Sequence, residues 1–522
     1  MLDIVIKNGT IIDGKNSKRF IADIGIRKDK IYVIGKNLCG KREIDADGLV
    51  VCPGFIDMHS HSDANLLMDS SLDSKIQQGI TTEVIGNCGY SIAPIVNESS
   101  LEVAKQLVPS YKISKNTFKK SFKETFNVLE KKGLLTNIIP LVGHGVLRAI
   151  AMGFEKREAK VSDINRMKKF LILSLKDGVF GMSTGLIYPP GFYSNVKELT
   201  ELAKIISDFN GIYASHIRGE SHTLFNAVNE IIQIGKNADV KVHISHIKCM
   251  GKFVWNKSNS IINMLEDTVS KGINITADMY PYVASSTLLF ALFPLWVYED
   301  NRMLERLKDR KTRRIIASEM EKNKALISGI RFKDIYISAS SDNKIVGLNI
   351  EEIAKRLNTN GYDVIFDIVL NSPKTCMVFY SIKENDLINF LKYERICIGC
   401  DSRAYSAKGD LFESKPHPRG FGTFPRVIST YVREKRTLNL EEIIYKMTYL
   451  PSKILNLYDR GCIDEGKIAD IVIFDLNKIK DTSTFKDPFS YPEGIEYVII
   501  NGKIALQKNK IKGLFGKILK RR

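Results

Sequence analysis

Residues 54–63 read GFIDMHSHSD, a short apolar run holding one aspartate, Asp57, and then two histidines around a serine. Side chains alternate along a strand, so His59 and His61 leave the same face one step apart. An isolated HxH pair suits a polar strand end as well as a metal site. The choice depends on what the rest of the chain brings to the same place.

Seven more short apolar segments follow, most of them separated by a longer helical stretch, which is the signature of βα units. Together the eight are GFIDMHSH (54–61), TTEVIGNC (81–88), NIIPLVGHG (137–145), VFGMSTG (179–185), GIYASHIR (211–218), VHISHIK (242–248), NITADMYPY (274–282) and ICIGCDS (396–402). Eight such units predict an α/β fold, a (β/α)8 TIM-like barrel with its active site at the C-terminal strand ends. Nearly every polar residue of these segments lies at that end. Strand parity places Val242, Ile244, His246 and Lys248 on one face, with His243 turned to the helix layer. It also groups Asp401 with Gly399 and Cys397 and turns Cys400 away, so the CIGC stretch is read as core thiols rather than a redox or zinc motif.

His59, His61, Cys88, His216, His246 and Asp401 therefore converge from five strand ends on one mouth. The chain has only 8 histidines, and four of them meet there. Thiolate, imidazole and carboxylate together suit Zn²⁺, and a carboxylate beside a metal-bound water suits hydrolysis.

Residues 1–52 and 456–510 read as short strands with turn signals such as NGT, DGK and ING, and are expected to form one small β domain from both chain ends. The barrel is expected over 53–455. The long gap before the eighth segment predicts a helical insertion at about 288–345, over the mouth. Residues 511–522 form a basic tail.

The 522 residues are 44% hydrophobic and 26% charged, ordinary values for a globular chain with a sizeable core. No run approaches the ~18 apolar residues of a membrane span. The start, MLDIVIKNG, is a strand rather than a leader, and the eight cysteines lack framework spacing, which together predict a cytoplasmic protein. The net charge of +18 brings no nucleic-acid signature and fits lysine-rich solvated helices, leaving a positive field for small anionic substrates. The oligomeric state is left open.

These residues resemble the amidohydrolase superfamily and, within it, the D-aminoacylases, or N-acyl-D-amino-acid deacylases. The resemblance runs nearly the full length, through PGFIDMHSHSD, GITTEVIGNCGYSIAP, LVGHGVLR, GMSTGLIYPPG, YASHIRGE, HISHIKCMG, DMYPYVASST, IGCDSRA, HPRGFGTFPRV and GCIDEGKIADIVIFD. It implies one tightly held zinc on Cys88, His216 and His246, and a second, weaker metal position at His59 and His61. Asp401 matches the general acid/base, and Lys248, Tyr280, Ser286 and Arg419 match the residues that hold the substrate's α-carboxylate. The fourth segment has no lysine to carboxylate, which argues against the hydantoinase and dihydroorotase branches. Ser402 stands where the family has glycine. The implied activity is zinc-dependent hydrolysis of N-acyl-D-amino acids. Alternatives are another metallohydrolase of the superfamily, acting on a cyclic amide or N-acyl dipeptide, and a non-catalytic protein of this fold. His144 and Asp57 are expected to support the site, and Tyr188 to line it or shape its loop.

Overall fold

All eight segments carry parallel strand, in two sheets. The computed structural model describes residues 1–69, 72–106, 117–322, 329–407 and 414–521. Phe55–Asp57, Ile80–Ile85 and Asn137–Pro140 form one sheet in that order. Val142–Gly143, Gly181–Gly185, Ile212–His216, Lys241–Ile244, Ile275–Met279 and Ile396–Ile398 form the other, each beside its neighbour in sequence order. Hydrogen bonds link the two sheets at both edges. Leu141 N donates to Ile85 O at 2.9 Å, and Asp401 N to His59 O at 2.7 Å, beside a parallel bridge between Ser60 and Ser402.

The strands are shorter than their sequence patterns. Regular backbone ends before Cys88, His246 and Asp401, whose φ angles of 53°, 36° and 49° are left-handed. Such φ values are costly for non-glycine residues and persist only where the surroundings impose them. They also break the parity argument. Val242 and Ile244 pack outward with helix residues such as Val228 and Ile231, whereas Ile56, Met58, Val84, Ala214 and Cys397 share an interior cluster. His243 accordingly does not face the helix layer: its Nδ1 lies 2.8 Å from Thr276 Oγ1 and its Nε2 2.9 Å from Asp278 Oδ2. The turn at His246 is what brings that side chain to the mouth.

A nine-stranded sheet joins the two chain ends, where Val50–Pro53 pairs antiparallel with Ile471–Phe474. The Asn501–Gly502 pair, both at positive φ, makes the tight turn between Ile495–Ile500 and Lys503–Gln507, as NG turns do.

The stretch between Met279 and Ile396 differs from expectation. It is helical only in part and extends beyond 288–345. Ala284–Leu288, Cys376–Tyr380 and Ile335–Ala339 build a three-stranded antiparallel sheet. With helices such as Ile350–Leu357 and Gly361–Asn371 it encloses its own core around Phe293, Ile337, Phe366 and Met377. The apolar, β-branched and aromatic residues of DIYIS and TCMVFY favour strands.

The basic tail is packed. Ile138 N donates to Lys517 O at 2.9 Å, Leu519 N to Ile138 O at 2.8 Å, and Arg521 N to Gly178 O at 2.9 Å. Leu519 thereby sits against the interior cluster, next to the N-terminal ends of the parallel strands. Among the described residues, no helix is long and apolar enough to cross a membrane.

Candidate active site

Cys88 Sγ is the centre of the site. It lies 3.3 Å from His59 Nε2, 3.5 Å from His246 Nε2 and 3.7 Å from His216 Nδ1. Zinc bonds of about 2.3 Å to sulfur and about 2.0–2.1 Å to nitrogen, at tetrahedral angles, separate the ligand atoms by about 3.5 Å. The four side chains therefore fit one such ion without rearrangement. Burial disfavours the thiolate, but His59 and His246 beside it hold the Cys88 pKa well below the ordinary thiol range.

Asp401 lies on the other side of the paired histidines. Its Oδ1 is 3.3 Å from His61 Nε2 and 3.7 Å from His59 Nε2, so these three form a second potential metal group. His59 belongs to both groups, which keeps the two positions from separating cleanly into Cys88, His216, His246 and His59, His61. Burial opposes the Asp401 carboxylate, yet Arg419 and His246 hold its pKa well below the usual carboxylate range.

A cavity of about 130 Å³ opens onto these groups, lined by His61, Cys88, His216, His246 and Asp401. Lys248, Tyr280, Ser286 and Arg419 line it as well. Arg419 NH1 donates to Asp401 Oδ2 at 2.9 Å, and its guanidinium lies 4.7 Å from the centre of the Tyr280 ring. The Tyr280 hydroxyl is 2.9 Å from Ser285 Oγ. Lys248 Nζ donates to Glu220 and lies 2.9 Å from His246 Nδ1. Tyr188 also lines the cavity; its ring stands edge-on to His216, and its hydroxyl is 3.1 Å from Thr287 Oγ1 on the inserted sheet.

Two expected supports act elsewhere than on a ligand's ring. His144 Nε2 lies 2.9 Å from Glu198 Oε1 and does not reach the cavity. Asp57 is turned away from His59's ring and toward Lys75, whose Nζ donates to it at 2.7 Å. Its other oxygen accepts the backbone N–H groups of His59 (3.1 Å) and Cys400 (2.8 Å), so it ties the histidine segment to the Asp401 segment.

Three contributors went unassigned in the sequence. Asp278 is 3.4 Å from His59 Nδ1 and accepts from His246 N at 2.9 Å. His417 Nδ1 accepts from Arg419 N at 3.0 Å, fixing the start of the helix Arg419–Arg426. Glu220 faces both His216 and His246. The motifs DMYPY, HPRG and HIRGE contain all three, but residue type alone does not say which atom each one meets.

The fold and site define an amidohydrolase: the model of the amidohydrolase family matches residues 42–112 and 327–505. The D-aminoacylase of Alcaligenes xylosoxydans xylosoxydans is 30% identical over 99% of this chain and 98% of its own. A D-aminoacylase crystal structure superposes with a TM-score of 0.85 at 31% identity over 100% of both chains. The N-acyl-D-glutamate deacylase of Bordetella bronchiseptica, solved with zinc and a phosphonate inhibitor that mimics the reaction's tetrahedral intermediate, gives 0.84 at 28% identity over 99% of each chain. The chain belongs to the D-aminoacylase family, the N-acyl-D-amino-acid deacylases.

Proposed function

We propose that this chain is a zinc-dependent hydrolase of N-acyl-D-amino acids, releasing a carboxylate and a free D-amino acid. The observation that carries the reading is Cys88 Sγ within 3.3–3.7 Å of three imidazole nitrogens, at the mouth where Asp401, Lys248 and Arg419 meet. Cys88, His216 and His246 hold the tight zinc, and His59 with His61 forms the weaker position. Bound there, zinc polarises the acyl carbonyl and acidifies water for attack.

The side chains do the rest. Asp401 accepts the attacking water's proton and delivers it to the amide nitrogen as the C–N bond breaks, because an unprotonated amine leaves poorly. Its low pKa keeps it ionised and ready to accept. Arg419 and Lys248 pair with the α-carboxylate, and Tyr280 and Ser286 complete its pocket. With carboxylate and acyl oxygen both anchored, the substituents at Cα have one permitted hand, which is the basis of D selectivity.

The two parallel sheets are read as one (β/α)8 barrel over 53–455. Its closure is supported by the bonds from Leu141 to Ile85 and from Asp401 to His59. The small β domain takes residues 1–52 and 456–510, and the sheet-and-helix insertion covers the mouth. All eight cysteines are free thiols, which supports a reducing, cytoplasmic setting. The partner is a small anionic substrate, and the positive charge is not assigned to nucleic acid.

Turnover of paired D and L N-acetyl amino acids, with zinc analysis of the purified enzyme, tests the reading. Hydrolysis of the D member with about one zinc per chain is expected. Equal hydrolysis of both hands overturns it.

A further inference from the structure

Glu220 is a buried carboxylate with no step to perform in the hydrolysis. It lies four residues past His216, just beyond the strand Ile212–His216, and is 7% exposed. Its Oε1 is 3.0 Å from His246 Nδ1 and accepts from Lys248 Nζ. Its Oε2 is 4.0 Å from His216 Nε2, a buried nitrogen with no hydrogen-bond partner. One carboxylate thus faces the outer nitrogen of both imidazoles. The inner nitrogens, His216 Nδ1 and His246 Nε2, face Cys88 Sγ.

A neutral imidazole carries one proton on one of its two nitrogens. For both inner nitrogens to offer lone pairs to a cation, both protons must sit on the outer nitrogens, and each needs an acceptor in this buried place. We infer that Glu220 is the positioning residue of the metal centre, fixing the tautomers of His216 and His246 together and neutralising Lys248. The inference rests on the reading of Cys88, His216 and His246 as zinc ligands.

His216, Glu220 and His246 also form a potential cation group of their own. Lys248 argues against that use. Its ammonium donates to Glu220 and lies 2.9 Å from His246 Nδ1, so a positive charge already stands there. The arrangement also ties the anchor for the substrate carboxylate to the histidine that holds the metal.

The test is Glu220→Gln in the full-length holoenzyme, read by zinc competition with a chelator and by the sulfur-to-cobalt absorption of the cobalt-substituted protein. The glutamine carbonyl can accept from one imidazole, but its NH2 cannot accept from the other. Zinc affinity should fall about 10–100-fold and the cobalt band should shift. Lys248→Met should raise KM while leaving zinc affinity within about threefold, because it leaves the carboxylate in place.

The double variant Glu220→Gln/Lys248→Met removes the lone buried charge that the single variant creates. It should recover thermal stability yet keep the weak zinc affinity. Recovery of parental zinc affinity in the double variant would assign the effect to charge burial and overturn the inference. Parental affinity in Glu220→Gln itself also overturns it, as does loss of one whole zinc equivalent with another held at full strength, which would make Glu220 a ligand. A parent enzyme that binds no zinc removes the metal reading itself, an outcome distinct from the others.

Discussion

Asp401 Oδ2 and Arg419 NH1 meet at 2.9 Å, joining the proposed proton-transfer carboxylate to the proposed anchor of the substrate carboxylate. The pair is buried, at 12% and 7% side-chain exposure. Arg419 is itself held by His417, whose Nε2 donates to the Ala284 carbonyl at 3.0 Å on the inserted sheet. A substrate carboxylate entering the cavity must share this guanidinium with Asp401, so binding and proton transfer are coupled through one side chain.

Arg419→Ala is therefore expected to lower kcat/KM on an N-acetyl-D-amino acid by about 2–4 kcal/mol, the range for losing one partner of a buried charge pair. Arg419→Lys should recover only part of this, since an ammonium lacks the two-pronged fit. The parent should turn over the corresponding N-acetyl-D-amino acid amide poorly. Steady-state kinetics on the free acid and the amide check both statements; equal rates would remove the anchor.

Cys88→Ala should lose zinc and activity together, because Cys88 is the one atom shared by all three surrounding imidazoles. Asp401→Ala should keep its tight zinc and lose turnover, since its Oδ1 approaches only the paired histidines. Metal content and kcat measured on both proteins separate the two roles. Normal turnover in Asp401→Ala would take it out of the mechanism.

Lys446 gives a pH-dependent stability that the active site does not control. Burial pulls its pKa from 10.5 down to about 8, although its ammonium donates to the Tyr393 carbonyl and lies 3.5 Å from that of Ile396. Between the folded and unfolded values the unfolded chain binds more protons at this site, so its contribution to stability rises as pH climbs from about 8 toward 10.5. The gain is on the order of 2 kcal/mol. Urea midpoints at pH 7.5 and 9.5 should differ less in Lys446→Met than in the parent. Identical slopes would exclude Lys446 as the source.

Deleting residues after Gly513 should lower the thermal midpoint with little change in kcat of the folded enzyme. Ile518 is 8% exposed within the main core, and Leu519 packs against the interior cluster, away from the cavity. Losing two such contacts costs about 2–5 kcal/mol by analogy with large-to-small core substitutions. Melting curves and kinetics on the truncated chain test it.

Part of this molecule was legible as a line of letters. The eight parallel segments, the pairing of both chain ends and the convergence of His59, His61, Cys88, His216, His246 and Asp401 all follow from period-two apolar runs, turn residues and residue type. These are local properties, readable within a few positions. The insertion was misread in part because helix and strand compete closely in short apolar stretches such as DIYIS.

The tertiary structure decided the atoms. Left-handed turns at Cys88, His246 and Asp401 lie where regular strand ends, and parity cannot be carried through them. That is why His243 faces Asp278 rather than the helices, and why Asp57 holds Lys75 and two backbone N–H groups instead of a ring. The division of His246 between Cys88 on one nitrogen and Glu220 on the other depends on segments 158 and 26 residues away. Sequence supplies the imidazole, but only packing determines which of its nitrogens faces the metal and which faces a carboxylate.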